Sequence, residues 1–125
     1  ALFLYLLKVS YDDIMNTRGD FMRKIYTECP VEYTASLIAN KWKILILRDL
    51  LTGTKRYNEL TKSIVGISAK VLTENLRQLE SDGIVVRKVY PVVPPKVEYS
   101  LTEKGSELKP IFDLMNEYGN KYKKK

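Results

Sequence analysis

An α+β, mostly helical fold is predicted for this 125-residue chain by three observations. Apolar residues recur at helical spacing between Ser68 and Gly83. Two β-rich runs parted by a proline cluster follow at once, and the run KWKILILRDLL at 41–51 is apolar around most of a helix circumference. The first pattern is an amphipathic helix, the second an exposed antiparallel ribbon, and the third a helix that must be buried. A helix that runs straight into a ribbon, with a buried helix behind it, has the plan of a winged helix-turn-helix. The length suits one domain with a single modest core.

The elements follow in chain order. Residues 1–28 read as an N-terminal extension, 29–105 as the winged helix-turn-helix domain, and 106–125 as a terminal helix with a basic tail. Pro30 to Ile38 predicts a helix, because proline suits a first turn whose N–H groups have no partner. Asn40 can cap the buried helix that begins at Lys41, and Gly53 can end it. Lys55-Arg56-Tyr57 is short enough to be a third, minor strand. Asn58 to Ile64 then forms a brief helix, and Gly66-Ile67 turns into the next. That helix is capped by Ser68, carries Leu72, Leu76 and Leu79 on a stripe widened by Val71, and stops at Gly83, whose lack of a Cβ permits a left-handed residue. Ile84 to Tyr90 is a β-branched strand. Pro91, Pro94 and Pro95 cannot donate to a ladder and so belong at the ribbon tip. Lys96 to Leu101 alternates, with Val97, Tyr99 and Leu101 on one side. Thr102 can cap a last helix, which Pro110 should kink within its second or third turn.

The chemistry lies on what these elements leave outside. Opposite the leucine stripe stand Ser68, Lys70, Thr73, Glu74, Arg77 and Gln78, side chains with the hydrogen-bonding reach that a major groove requires. Ser68, Lys70, Thr73 and Arg77 are the candidate DNA contacts on this helix, with Lys70 or Arg77 suited to guanine. Lys96, and secondarily Arg87 and Lys88, put cations on the ribbon where phosphates or a minor groove could meet them. The plain alternatives are a solvated helix face and a hairpin whose lysines discourage edge pairing. Net charge is +6, and its distribution favours a polyanion. From Lys41 to Lys70 seven Lys or Arg oppose only Asp49 and Glu59, whereas from Val71 to Lys109 six basic residues balance six acidic ones. The excess sits on the helix-turn-helix half and on the lysine-rich C-terminus. On the last helix, Leu108, Ile111, Phe112, Met115, Tyr118 and Tyr122 form a stripe longer than a small domain can cover, which marks a protein interface unless the stripe folds back on its own chain.

These motifs identify a resemblance. The stretch from Cys29 to about Tyr118 closely resembles the HxlR family of prokaryotic transcription regulators, relatives of the MarR group. It is carried by Cys29-Pro30-Val31-Glu32, Lys41-Trp42, Gly66-Ile67-Ser68, Tyr90-Pro91, Pro94-Pro95 and Val97-Glu98-Tyr99, in that order. The resemblance implies a homodimeric, cytoplasmic winged-helix protein that binds double-stranded DNA, with the chain termini forming the dimer interface. Two recognition helices related by a two-fold would then meet a pseudo-palindromic operator in major grooves roughly 34–36 Å apart. Family members often carry a glycine pair where this chain has Ala39-Asn40, and an acidic residue where it has Val86. Neither position is a candidate DNA contact. Several similar regulators use the cysteine of the same Cys-Pro motif to sense oxidants or electrophiles, so the resemblance makes Cys29 a redox-sensing candidate and an oxidant or small molecule a candidate effector. With no second cysteine, only a symmetric Cys29 bridge between subunits, a mixed disulfide or direct alkylation is open to it. An inert, partly buried thiol is the alternative.

Other classes find little support. The chain has no histidine, so the commonest general base and metal ligand is missing. One cysteine makes neither an intrachain disulfide nor a zinc knuckle. No phosphate-binding glycine loop or nucleophile elbow appears, so no enzyme, metal or cofactor is expected. The apolar run Ala1 to Leu7 is too short for a bilayer and lacks the flanks of a signal peptide. Residues 1–14 are either a short amphipathic helix that packs on a partner subunit or a segment derived from a vector or an extended reading frame. The competing functional class is a winged-helix module that binds protein or RNA.

Overall fold

The structure, a computed structural model, describes residues 28–124. The expectations for residues 1–14, and for all but the last residue of the extension 1–28, lie outside the described residues. The chain divides into two units, Ala1–Ala39 and Asn40–Lys125.

In the first unit the described element is α1 (Pro30–Ile38). Cys29 occupies its N-cap in extended backbone, and Pro30 stands in the first turn. The Cys29 carbonyl accepts from the Tyr33 N–H at 2.9 Å, so the helix is entered without a side-chain cap.

The second unit runs α2 (Lys41–Leu50), β1 (Lys55–Arg56), α3 (Tyr57–Ser63), α4 (Ala69–Ser81), β2 (Val85–Tyr90), β3 (Lys96–Leu101), α5 (Glu103–Ser106) and α6 (Lys109–Tyr122). The expected winged helix-turn-helix forms. Asn40 caps α2, its Oδ1 accepting from the Lys43 N–H at 2.8 Å. Ile46, Leu47 and Leu50 of α2 are buried, as are Leu72, Leu76 and Leu79 of α4, Leu60 of α3 and Ile64 just after it. Each such side chain contributes roughly 1.5–3 kcal/mol of hydrophobic stabilisation. Together they clamp α4 onto α2 and fix which of its faces looks outward.

Ser68 caps α4 by accepting from the Val71 N–H at 3.1 Å. At the other end Gly83, at φ 75°, lets the chain reverse. Its N–H donates to the Glu80 carbonyl and that of Ile84 to the Leu79 carbonyl, the paired bonds of a Schellman stop. Ile84 and Leu79, both buried, supply the apolar contact that accompanies it. The helix therefore delivers the chain into β2 at a fixed angle.

The sheet has the order β1-β3-β2, all antiparallel. Lys55 pairs with Tyr99 and Arg56 with Glu98, so the minor strand expected over Lys55-Arg56-Tyr57 forms at its first two residues, while Tyr57 opens α3 instead. In the ribbon Val85 faces Leu101, Arg87 faces Tyr99 and Val89 faces Val97, all on one side. Val86, Lys88 and Tyr90 face Ser100, Glu98 and Lys96 on the other. The prolines 91, 94 and 95 lie in the exposed tip, as the missing N–H requires.

One expectation is corrected. A single C-terminal helix kinked at Pro110 does not form. Thr102 caps only the short α5, its hydroxyl accepting from the Gly105 N–H at 3.1 Å and donating to the Gly83 carbonyl at 2.6 Å. The chain then turns tightly, the Leu108 N–H reaching back three residues to the Gly105 carbonyl, and α6 starts afresh with proline in its first turn. Proline is tolerated where the N–H has no partner, so the sequence breaks the helix before Pro110 rather than bending it there. Gly105 is needed for close approach, since a Cβ would press into the Ile84 carbonyl.

Candidate nucleic-acid interface

The outward face of α4 is held from two sides. Asn75 points inward from the leucine stripe and is buried. Its Oδ1 accepts from Asn40 Nδ2 at 3.0 Å, and its Nδ2 donates to the Val71 carbonyl at 2.7 Å. Since Asn40 also caps α2, one side chain fixes the start of α2 and ties it to α4. Near the other end of the face, Tyr57 at the head of α3 donates its hydroxyl proton to the Ala69 carbonyl at 3.1 Å and lies 3.1 Å from Thr73 Oγ1. Sequence reasoning did not single out either residue. Asn75 had a signal, because it is a polar residue within the spacing of the apolar stripe. Tyr57 had none, since its reach depends on where β1 ends.

With α4 so fixed, Ser68, Lys70 and Arg77 are exposed and Thr73 is half-buried. Ser68 is committed to its cap. A cleft of about 390 Å³ opens between α4 and the sheet, lined by Tyr57, Thr73, Arg77 and Glu80 on one side and Arg87, Val97 and Tyr99 on the other. Arg77 and Arg87 form no ion pair among the described residues. An unneutralised guanidinium on each wall presents fork-like donors to whatever anion enters.

The three ribbon cations are thereby separated. Arg87 lies on the cleft side with Val97 and Tyr99, while Lys88 and Lys96 lie on the opposite side. There Lys96 Nζ sits 3.3 Å from the Glu98 carboxylate, and both Lys88 and Lys96 stand over the Tyr90 ring, at 4.8 and 4.7 Å from its centroid. The Tyr90 hydroxyl bonded to Glu98 is the main cause holding that carboxyl below the ordinary glutamate value. Desolvation opposes it, and Lys96 and Arg56 add to the lowering. The Lys96 charge is thus partly balanced within the ribbon.

The expected terminal stripe divides. Leu108 is buried and Phe112 half-buried, whereas Ile111, Met115, Tyr118 and Tyr122 are exposed. Leu114, which the stripe had omitted, is 64% exposed and lines a shallow apolar groove with Ile111, Met115, Tyr118 and Gly119. On α1 a second apolar groove is lined by Pro30, Val31, Thr34, Ala35 and Ile38. Cys29 is a free, half-buried thiol. Among the described residues no cluster could hold a metal ion, and no helix is long and apolar enough to cross a membrane.

Known proteins match this architecture. The family model of the HxlR-like helix-turn-helix matches residues 37–125. An uncharacterised HTH-type transcriptional regulator of Bacillus subtilis, YdeP, is 47% identical over 104 residues, which are 83% of this chain and 81% of that protein. An HTH-type regulator of Methanothermobacter thermautotrophicus is 42% identical over 119 residues, 95% of this chain and 91% of its own. Among solved structures, the redox regulator HypR in its oxidised form superposes with a TM-score of 0.73 at 47% identity, covering 78% of this chain and all of that one. Diamide-treated YodB of B. subtilis superposes at 0.63 with 41% identity, covering 78% and 97%.

Proposed function

As a member of the HxlR-like helix-turn-helix family, this chain is a transcription regulator and not an enzyme, and we propose that it acts as a cytoplasmic homodimer that reads a pseudo-palindromic operator in double-stranded DNA. The observation that carries this reading is the pair of unneutralised arginines, Arg77 and Arg87, facing one cleft from the helix and from the wing. A backbone phosphate entering this cleft would meet both guanidinium groups, with the Glu80 carboxylate on the helix wall opposing it. Lys70 and Thr73, on the same face of α4, then meet base edges in the major groove, with Ser68 beside them at the helix start. Lys88 and Lys96 lie on the far side of the ribbon, toward an adjacent stretch of backbone or minor groove. Arg87 is therefore the stronger wing contact and Lys96, already paired with Glu98, the weaker.

The domain limits of the sequence reading serve this proposal: residues 29–105 bind DNA and residues 106–125 join two copies through Ile111, Leu114, Met115, Tyr118 and Tyr122, with Leu108 and Phe112 beneath them. Exposed apolar side chains at this density favour burial against a second copy.

The likeness to the redox regulator HypR and to diamide-treated YodB supports a further part of the reading, that Cys29 senses oxidants. Peroxide converts its thiol to a sulfenic acid with loss of water, and a second thiol then displaces a second water to form a disulfide. That second thiol is the partner subunit's Cys29 or a small cellular thiol.

Salt tests the DNA reading. The logarithm of affinity for an operator duplex should fall linearly with the logarithm of salt, at a slope of about −0.9 per phosphate contact. Arg87→Ala should make that slope shallower by about one contact. Binding insensitive to salt would point instead to a protein-binding module. Peroxide should shift operator affinity in the parent and leave Cys29→Ser unchanged; an equal shift in both excludes Cys29 as the switch.

A further inference from the structure

We propose that the Tyr57 hydroxyl fixes Thr73 as an acceptor-only contact, so that the operator position facing Thr73 must offer an amino group, N6 of adenine or N4 of cytosine. The inference rests on the DNA reading above and adds a specificity to it.

The Tyr57 hydroxyl carries a single proton. The Ala69 carbonyl, 3.1 Å away, can only accept, so that contact takes the proton. The second contact, 3.1 Å to Thr73 Oγ1, must then run the other way, with Thr73 donating to the Tyr57 oxygen. Thr73 has no other side-chain proton to donate. What it presents outward is lone pairs alone.

In a major groove that matters. Adenine N6 and cytosine N4 carry donor amino groups, whereas guanine O6 and N7 and thymine O4 are acceptors. An acceptor-only threonine bonds the first pair and sets lone pair against lone pair with the second. An unrestrained threonine hydroxyl would serve either.

Tyr57 is well placed to impose this restraint. It follows directly on β1, whose Lys55 and Arg56 are paired with Tyr99 and Glu98 of β3. The Arg56 N–H donates to the Glu59 carboxylate at 2.9 Å, which fixes the first turn of α3. The ring is half-buried and lines the cleft beside Thr73. Without the hydroxyl, Thr73 would be free to turn its proton back to the Ala69 carbonyl one turn earlier or outward to a base, and its rotamer would no longer be set. Tyr57 is thus a positioning residue that acts through Thr73.

The test compares the parent, Tyr57→Phe, Thr73→Val and Thr73→Ser on operator duplexes carrying single base analogues. Unsubstituted purine replaces adenine, and pyrimidin-2-one replaces cytosine, each removing only the amino group. At one position in each half-site the loss should weaken parent binding roughly 3- to 10-fold, and a guanine or thymine there should weaken it further. Tyr57→Phe should narrow that discrimination to about twofold while other positions keep theirs. Thr73→Val should lose sensitivity to the missing amino group, and Thr73→Ser should keep it. A general loss of stability cannot mimic a change confined to one base position. If Tyr57→Phe binds DNA with the parent's preference at every position, or the parent selects a keto base there, the inference is overturned. A parent that prefers no duplex sequence at all overturns the DNA reading as well.

Discussion

Cutting the link between Asn40 and Asn75 should cost stability in two separable parts. Asn40 accepts from the Lys43 N–H as the cap of α2 and donates to Asn75 Oδ1. Losing a cap costs about 1 kcal/mol, and a single neutral hydrogen bond is worth about the same. Asn40→Ala removes both and should destabilise the protein by about 2 kcal/mol. Asn40→Ser retains a capping oxygen but cannot reach Asn75, so about 1 kcal/mol should return. Asn75→Ala removes the same link from the other side. The Val71 carbonyl keeps its helical partner, so the cost there is the link plus the small void of a buried side chain, about 1–2 kcal/mol. Urea unfolding at one fixed protein concentration measures each value, the fixed concentration being required because association adds to apparent stability. In the double-mutant cycle of Asn40→Ala with Asn75→Ala the coupling should be about 1 kcal/mol. A coupling within about 0.3 kcal/mol of zero would refute the claim that this bond holds α4 to α2.

Other consequences are as direct. Gly105→Ala should lower stability by about 1–3 kcal/mol, seen as a reduced Tm, because the new methyl meets the Ile84 carbonyl. Glu98 titrates below the ordinary glutamate value, so its contribution to the wing is complete above that ordinary value and is lost as pH falls through the depressed one. Carboxyl NMR should show this, and Tyr90→Phe should move the titration back up by removing its main cause. Lys96→Ala should flatten the salt dependence of DNA binding less than Arg87→Ala does, since Lys96 is already paired with Glu98; an equal effect would mean that pairing is irrelevant on DNA. Leu114→Glu should convert the proposed dimer into monomers in sedimentation, because it charges the centre of the exposed groove on α6.

Much of this was legible in the residues alone. The stripe Leu72, Leu76 and Leu79, the caps Asn40 and Ser68, and the stop at Gly83 each obey a local rule, and each forms where its rule puts it, whereas Thr102 caps only the short α5 and not the long last helix. Pro110 was misread because two local rules compete. Proline kinks a helix interior but favours a first turn, and the tight turn after α5 decides for the second. The residues alone put Lys96 ahead of Arg87 and Lys88, because alternation along one strand does not say which face borders α4. Only the pairing of Arg87 with Tyr99, and of Lys88 with Glu98, sorts them. Tyr57 and the cleft were invisible for a related reason, since both arise where separate elements meet and no spacing within one segment encodes them.

The central claim is that the face shared by α4 and the wing reads DNA. Hydroxyl-radical footprinting on DNA upstream of the protein's own gene tests it most directly, run with the parent and with Arg77→Ala/Arg87→Ala. The parent should protect two stretches whose centres lie about one helical turn, roughly 34–36 Å, apart. The double variant should lose that protection at moderate salt while remaining folded. Protection that survives the double variant unchanged, or a parent that protects no defined site, would contradict the claim.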